Sequence, residues 1–197
     1  MAHKIYKNIA ASLKDRLNHA NNKLVALFTT GHIVATYDNL DQIAEAILNI
    51  ILTIIPSQRA LFITYYKTNQ KIHICKNIGY SNIKKENGYH NINNDPLLQT
   101  IVKEPDTLII NKNEAPHGYS DVIYKSDTLI ITPIKASKNV IGFIILGNKN
   151  NHKNFSINNK ILLEAIAGQT APAIEHGRLE ELKSAEAEVK RVYIDPL

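Results

Sequence analysis

The 197-residue sequence holds a single cysteine, Cys75. An intrachain disulfide is therefore excluded, and so is a CxxC zinc or redox pair. A lone thiol fits a reducing cytoplasm, which is the expected compartment. No long apolar run occurs either. The greasiest stretch, Ile43 to Ile55, contains Glu45 and Asn49. It falls short of the roughly 20 apolar residues that span a bilayer, so no membrane association is expected. Met1 to Lys7 lacks the apolar core of a secretory signal. The eight histidines form no HxxxH or HExxH pair. No serine sits in the glycine frame of a nucleophile elbow, and no P-loop, kinase or GGDEF motif is present. These absences point away from an enzyme and leave no metal constellation.

The formal net charge of +5 is spread out; among the lysines only Lys84 and Lys85 are adjacent. A nucleic-acid reader gathers its charge on one groove-sized face, so no nucleic-acid partner is expected.

The periodicity predicts helix over about Ile5 to Ala35, with a break allowed at Asn18 to Asn22 or Gly31. Asp38 or Asn39 can cap a second helix, Leu40 to Ile55, which shows apolar residues at 3/4 spacing and ends at Pro56. Ala60 to Tyr66 and Lys71 to Ile78 read as a hairpin across Lys67 to Gln70. Ser81 to Asn94 is polar and irregular. Asp95-Pro96 opens a short helix, and Thr107 to Ile110 is a short strand. Asn111 to Asp127 is too long for a plain connector and is a candidate lid. Leu129 to Ala136 and Val140 to Asn148 form a second hairpin. Ser156 caps a long helix to about Val192, with Pro172 inside it and a kink expected there. Its last turns carry Leu182, Ala185, Val189 and Val192 at coiled-coil spacing.

This order implies an α/β (α+β) fold. A central antiparallel sheet of five to six strands has the terminal helices on one face, and loops with the short helix form a cavity on the other.

Three stretches carry a family resemblance: Leu24 to Tyr66, with "TYDNLDQIAEAILNIILTII" and "ALFITYY"; "DTLIITPIKASKNVIGFIILGNKN", Asp127 to Asn150; and "FSINNKILLEAIAGQTAPAIEHGRLEELK", Phe155 to Lys183. Together they resemble the GAF family of sensor domains, across about residues 22 to 180. Residues 1–21 are then a helical extension and 181–197 a linker helix. The end of the chain, "EAEVKRVYIDPL", resembles the lead into a GGDEF diguanylate cyclase domain, with Asp195-Pro196-Leu197 as its first residues.

The resemblance implies a regulatory module that senses a small molecule, pairs as a homodimer through its terminal helices and drives a C-terminal output domain. The alternative is a ligand-free dimerisation module of a histidine kinase or phosphatase. Cyclic-nucleotide-binding relatives carry an Asn-Lys-Phe-Asp-Glu signature. Here Asn148, Lys149 and Phe155 match it, while Asn159 and Lys160 stand at the acidic positions. The family pattern makes these residues a structural clasp, and cyclic nucleotides are not favoured as ligands. No cofactor is identified. His90 and His117 lie in the loops that roof the cavity. Strand alternation and loop placement put Phe62, Cys75, Tyr80, His90, Tyr119, Tyr124 and Thr132 on the cavity wall; tyrosine offers a flat ring with a polar tip. Cys75 itself reads as a half-buried or buried structural residue.

Overall fold

A computed structural model describes all residues except 1, 38, 84–88, 113, 115–118, 120–121, 151–152 and 195–197. The side chains of 2–4, 15, 18–19, 89, 180–182 and 184–194 also lie outside the description. The coiled-coil positions Leu182, Ala185, Val189 and Val192, and the closing Asp195-Pro196-Leu197, therefore fall outside it, as do Asp38 and His117.

Helix α1 runs unbroken over Ala2–Thr36. The asparagine-rich turn and Gly31 do not interrupt it, because each weakens a helix by a fraction of what its neighbours supply. Helix α2, Leu40–Ile54, begins at Asn39, whose side chain accepts the backbone N–H groups of Asp41 and Gln42. Ile43, Ala44, Ile47, Leu48 and Ile51 form its buried face. Burying each of the larger ones contributes roughly 1.5–3 kcal/mol. Replacing Ile47 by alanine would cost about 2–5 kcal/mol, because little can collapse into the space.

The sheet has six strands: β1 (Ser57–Tyr66), β2 (Lys71–Ile78), β3 (Tyr89–Asn91), β4 (Leu108–Ile110), β5 (Leu129–Ala136) and β6 (Asn139–Lys149). Their spatial order is β3-β2-β1-β6-β5-β4, with every neighbouring pair antiparallel. The tight turns are set by Gln70 and Ser137, both at positive φ. The three-residue edge strand β3 arises in a stretch expected to be irregular. It is polar and holds by backbone pairing to Lys71, Ile72 and His73, which leaves no alternation in its sequence. Helix α3, Pro96–Lys103, follows a short 3-10 turn, with Asp95 as its cap and Pro96 in its first turn. Helix α4, Ile157–Ile194, continues through Pro172. The proline lacks an N–H for the Gly168 carbonyl, and both residues are exposed, so water can take that acceptor.

The molecule has two apolar layers. On one face of the sheet α1, α2 and α4 bury Ala60, Phe62, Cys75, Ile130, Ile134, Ile144 and Leu146. On the other face α3 and the loops bury Leu61, Ile63, Tyr65, Leu129, Ile131, Phe143 and Ile145. Lys76 on β2 pairs with Glu45 on α2 at 2.5 Å, which helps fix the helix layer to the sheet edge.

Candidate functional site

The face away from the terminal helices carries a buried polar network in an otherwise apolar layer. Its foundation is the turn after β2. Asn77 donates from Nδ2 to the carbonyls of Tyr80 and Ile83 at 2.8 and 2.9 Å, and its Oδ1 accepts the Tyr80 N–H. This folds the chain back so that the Tyr80 ring enters the layer. Gly147 on β6 makes room for it. A Cβ there would lie 2.3 Å from Ser126 Oγ and 2.4 Å from the Tyr80 hydroxyl.

Tyr119 and the segment from Val122 to Asp127 close over this floor. Ser126 Oγ donates to the Tyr124 carbonyl at 3.2 Å, which leaves Tyr80 as the donor to Ser126 Oγ at 3.3 Å. The Tyr119 hydroxyl accepts the Ser126 N–H at 2.9 Å and donates to the Ser126 carbonyl. Two outer struts hold the same segment. Arg59 donates to the Lys125 carbonyl at 3.0 Å, and Asn82 donates to the Ile123 carbonyl at 2.6 Å. The Arg59 guanidinium also lies over the Tyr80 ring, 5.4 Å from its centroid.

Tyr124 is fully buried and reaches furthest inward. Its hydroxyl donates to Asp95 Oδ1 at 2.9 Å, and the same oxygen accepts the Leu98 N–H at 3.0 Å. One carboxylate thus caps α3 and holds the lid. Burial raises the Asp95 carboxyl above its ordinary value, against the opposing pull of the Leu98 and Tyr124 hydrogen bonds. Burial pushes the Tyr80 phenol up to about 12. It raises Tyr119 as well, and raises Tyr124 strongly, with the Asp95 charge adding to the effect. All three phenols stay neutral, and each hydroxyl already has an internal partner.

The predicted wall residues divide. Tyr80, Tyr119 and Tyr124 are brought together by this network. His90 lies on the edge strand β3, half-buried opposite Ile72, and stands apart from it. Phe62, Cys75 and Thr132 are corrected: they face the helix layer. Phe62 and Cys75 pack in the helix-side core, and the Thr132 hydroxyl is 3.5 Å from that of Thr107, which donates to Glu164 on α4. For Phe62 and Thr132 the physical reason is that β1 and β5 are apolar and buried on both faces, so their sequences contain no polar alternation to reveal parity; Cys75 stands on β2 between Ile74 and Lys76, at the register shift opposite Phe62 and Ile63, which no sequence pattern marks. Asp95, Ser126, Arg59 and Asn77 were missed as site residues. Asp95 had a visible signal as the residue before Pro96, but only as a cap. Among the described residues no group of three metal-ligating side chains comes together.

A second constellation joins β6 to the start of α4. Asn148, at φ 52°, accepts the Asp127 N–H at 2.8 Å. Lys149 Nζ donates to Asn159 Oδ1 at 2.8 Å and to the Asn154 carbonyl at 3.2 Å, and lies 5.8 Å from the Phe155 ring centroid. Asn159 also accepts from the Ser156 N–H while its own N–H reaches Ser156 Oγ, a reciprocal capping box. Asn148, Lys149 and Phe155 thus form a clasp, with Asn159 closing it. Lys160 turns elsewhere, to Asp106 at 2.7 Å.

A family model for the GAF domain matches residues 38–175, more than half of the chain. The chain belongs to the GAF domain family. Solved GAF structures share the fold. The GAF domain of an Acinetobacter phosphoenolpyruvate-protein phosphotransferase superposes with a TM-score of 0.68 at 12% identity, over 79% of this chain and 94% of that one. Its counterpart from Coxiella burnetii gives 0.68 at 12% identity, over 83% and 98%. The GAF domain of a putative sensor histidine kinase from Pseudomonas syringae pv. tomato gives 0.61 at 14% identity, over 89% and 99%. Among curated protein sequences none matches the chain. No helix among the described residues is long and apolar enough to cross a membrane.

Proposed function

We propose that this GAF domain is the regulatory module of a cytoplasmic bacterial signalling protein, without chemistry of its own. The lidded face responds to a small molecule, α1 and α4 pair two copies, and α4 leads to a diguanylate cyclase. The output assignment rests on the resemblance of the final residues to the opening of that domain.

The observation that carries the signalling role is an apolar face on the terminal helices. Ile5, Tyr6, Ile9, Leu13, Leu17, Leu24 and Phe28 lie on one side of α1, and all are exposed, Phe28 by 81%. The side of α1 that packs on the domain is a different one, carrying Ala26, Thr30 and Ile33. At about 100° per residue Tyr6, Leu13, Leu17, Leu24 and Phe28 lie roughly 100° or more around the helix from that packed side, while Ile5 and Ile9 lie nearer to it. On α4, Ile157 and Ile161 are exposed as well. Between the helices, Leu24, Leu27, Phe28, Gly31, His32 and Gln169 line an open groove of about 510 Å³. An exposed apolar stripe of this length marks an interaction site. A second copy presents the same knobs and the same groove, as an isologous pair requires.

Light scattering tests the pairing. The chain should be a dimer and Phe28→Asp a monomer with unchanged thermal stability; a monomeric parent chain would sink the pairing. A thermal-shift screen with cyclic nucleotides, nitrate and small carboxylates tests the sensing. A ligand at about a hundredfold excess over its Kd adds roughly 2.7 kcal/mol.

The internal saturation of the three tyrosine hydroxyls favours a second reading, a ligand-free dimerisation module of a histidine kinase or phosphatase. A dimer that shifts with no compound would select it.

A further inference from the structure

We propose that Arg178 is the positioning residue through which the ligand-side layer sets the exit of α4. The β1–β6 ladder runs from Ser57 opposite Lys149 to Thr64 opposite Gly142. One position further the ladder has ended, and the carbonyls of Tyr65 and Ile141 face the helix layer. The Nη2 of Arg178 donates to both, at 2.6 and 2.8 Å. The guanidinium also stacks on Tyr66, 4.5 Å from the ring centroid. Arg178 therefore stands in for the next rung and ties the two central strands to the helix. Its Nε is buried without a hydrogen-bond partner. A guanidinium holds that position because its other contacts are strong and fixed in direction.

The same residues reach the opposite face. Tyr65 is 5% exposed, with its side chain in the ligand-side core, 6.4 Å from Phe143 between ring centroids. Phe143 follows Gly142, where a Cβ would meet the Ile63 carbonyl at 2.5 Å, so the strands approach too closely there to slide without consequence. A change in packing around Tyr65 or Phe143 must move a carbonyl that Arg178 holds. On the helix side, Ile174 is buried, whereas Leu179, one residue past Arg178, is 55% exposed. Arg178 thus stands where α4 leaves the domain.

The inference rests on the reading of α4 as the outgoing helix, but its test needs neither ligand nor output domain. Amide hydrogen exchange is followed on the full chain for Arg178→Gln, Arg178→Lys, Phe143→Leu and the Phe143→Leu/Arg178→Gln pair. With Arg178→Gln, amides of 173–179 should exchange at least tenfold faster while those of 157–170 stay unchanged. Arg178→Lys should recover part of the protection, and it serves in place of Arg178→Gln if that variant does not fold. Phe143→Leu alone should also speed exchange at 173–179, and it should add nothing when Arg178 is already replaced. Additive effects, a uniform change along α4, or no change would overturn the proposal. Light scattering on the same samples reports the pairing separately, so a monomer with the expected coupling leaves this inference standing.

Discussion

Lys149 and Asn159 meet at 2.8 Å, so the ammonium that closes the β6–α4 clasp is held by a neutral amide. Burial lowers the Lys149 pKa, and the nearby Lys153 charge adds to it; among the described residues its hydrogen bonds go to neutral oxygens. The Asn159 Oδ1 also accepts from both the N–H and the hydroxyl of Ser156. Three donors, one of them cationic, converge on one oxygen at a helix N-terminus, where negative charge is favoured. Asn159→Asp should therefore stabilise the fold at neutral pH. With the site partly exposed, the gain is about 0.5–1 kcal/mol. The new carboxylate would titrate below its unfolded value. Its gain would be present above that value and lost as pH falls through the folded one. Urea unfolding at pH 7 and pH 3 checks both the size and the direction.

Tyr124→Phe removes the hydroxyl from Asp95 and leaves a buried carboxylate with one donor fewer. The expected loss is about 1–3 kcal/mol at neutral pH. Asp95→Asn should behave differently. Its amide oxygen can still accept from Leu98 and Tyr124, while the charge that burial disfavours is gone. Because burial raises the Asp95 pKa, its contribution is full below the ordinary carboxyl value and falls as pH rises through the folded one. Asp95→Asn should flatten that part of the pH profile and be at least as stable as the parent at pH 7. If Asp95→Asn loses as much as Tyr124→Phe, the lid does not depend on this pair in the way described.

The tyrosines also set an alkaline limit. A phenol kept neutral by the fold supports it fully below the ordinary value of 10.0, and that support falls as pH rises through the folded value, about 12 for Tyr80. Lys149 acts in the opposite sense, since its lowered pKa lets stability rise with pH, but only up to the ordinary lysine value of 10.5. Above that value the tyrosine effect stands alone. Ultraviolet titration should show some of the nine tyrosines ionising only as the fold melts. Smooth ionisation of all nine in the folded protein would contradict the buried network.

The order of elements was legible because it depends on local signals. Asn39 and Asp95 cap where short polar side chains before apolar runs should, and the β5–β6 hairpin follows from its turn residues. The wall of the site was only partly legible. Tyr80, Tyr119 and Tyr124 come together in one buried network because loop tyrosines have few other places to bury a ring. Phe62 and Thr132 were assigned to the wrong face because a strand buried on both sides has no polar alternation, and Cys75 because it stands at the register shift of β2 between Ile74 and Lys76. Asp95 to Tyr124 and Arg178 to Tyr65 span 29 and 113 residues, and no pattern along a single sequence encodes such pairs. The clasp was legible in its residues, and the structure adds that Asn159 takes the acidic position's role without its charge.

Gly31 on α1 and Gly168 on α4 give the sharpest test of the pairing face. Both are exposed, and a Cβ at either would meet nothing within 4 Å. In an isolated chain, glycine within a helix is less favourable than alanine by roughly 0.8–1 kcal/mol. Gly31→Ala and Gly168→Ala should each stabilise the monomer by about that amount, since no neighbour within the chain resists the methyl group. A second copy seated on this face changes the sign. Helix backbones approach closely where only hydrogen separates them, and a methyl group or larger side chain forces them apart. Gly168→Leu should therefore raise the dimer dissociation constant at least tenfold, while thermal unfolding at concentrations where the chain is monomeric moves upward. Sedimentation over a dilution series measures the first effect and calorimetry at the dilute end the second. Stabilisation at every concentration, with no change in association, would mean that the apolar face of α1 and α4 is not where two copies meet.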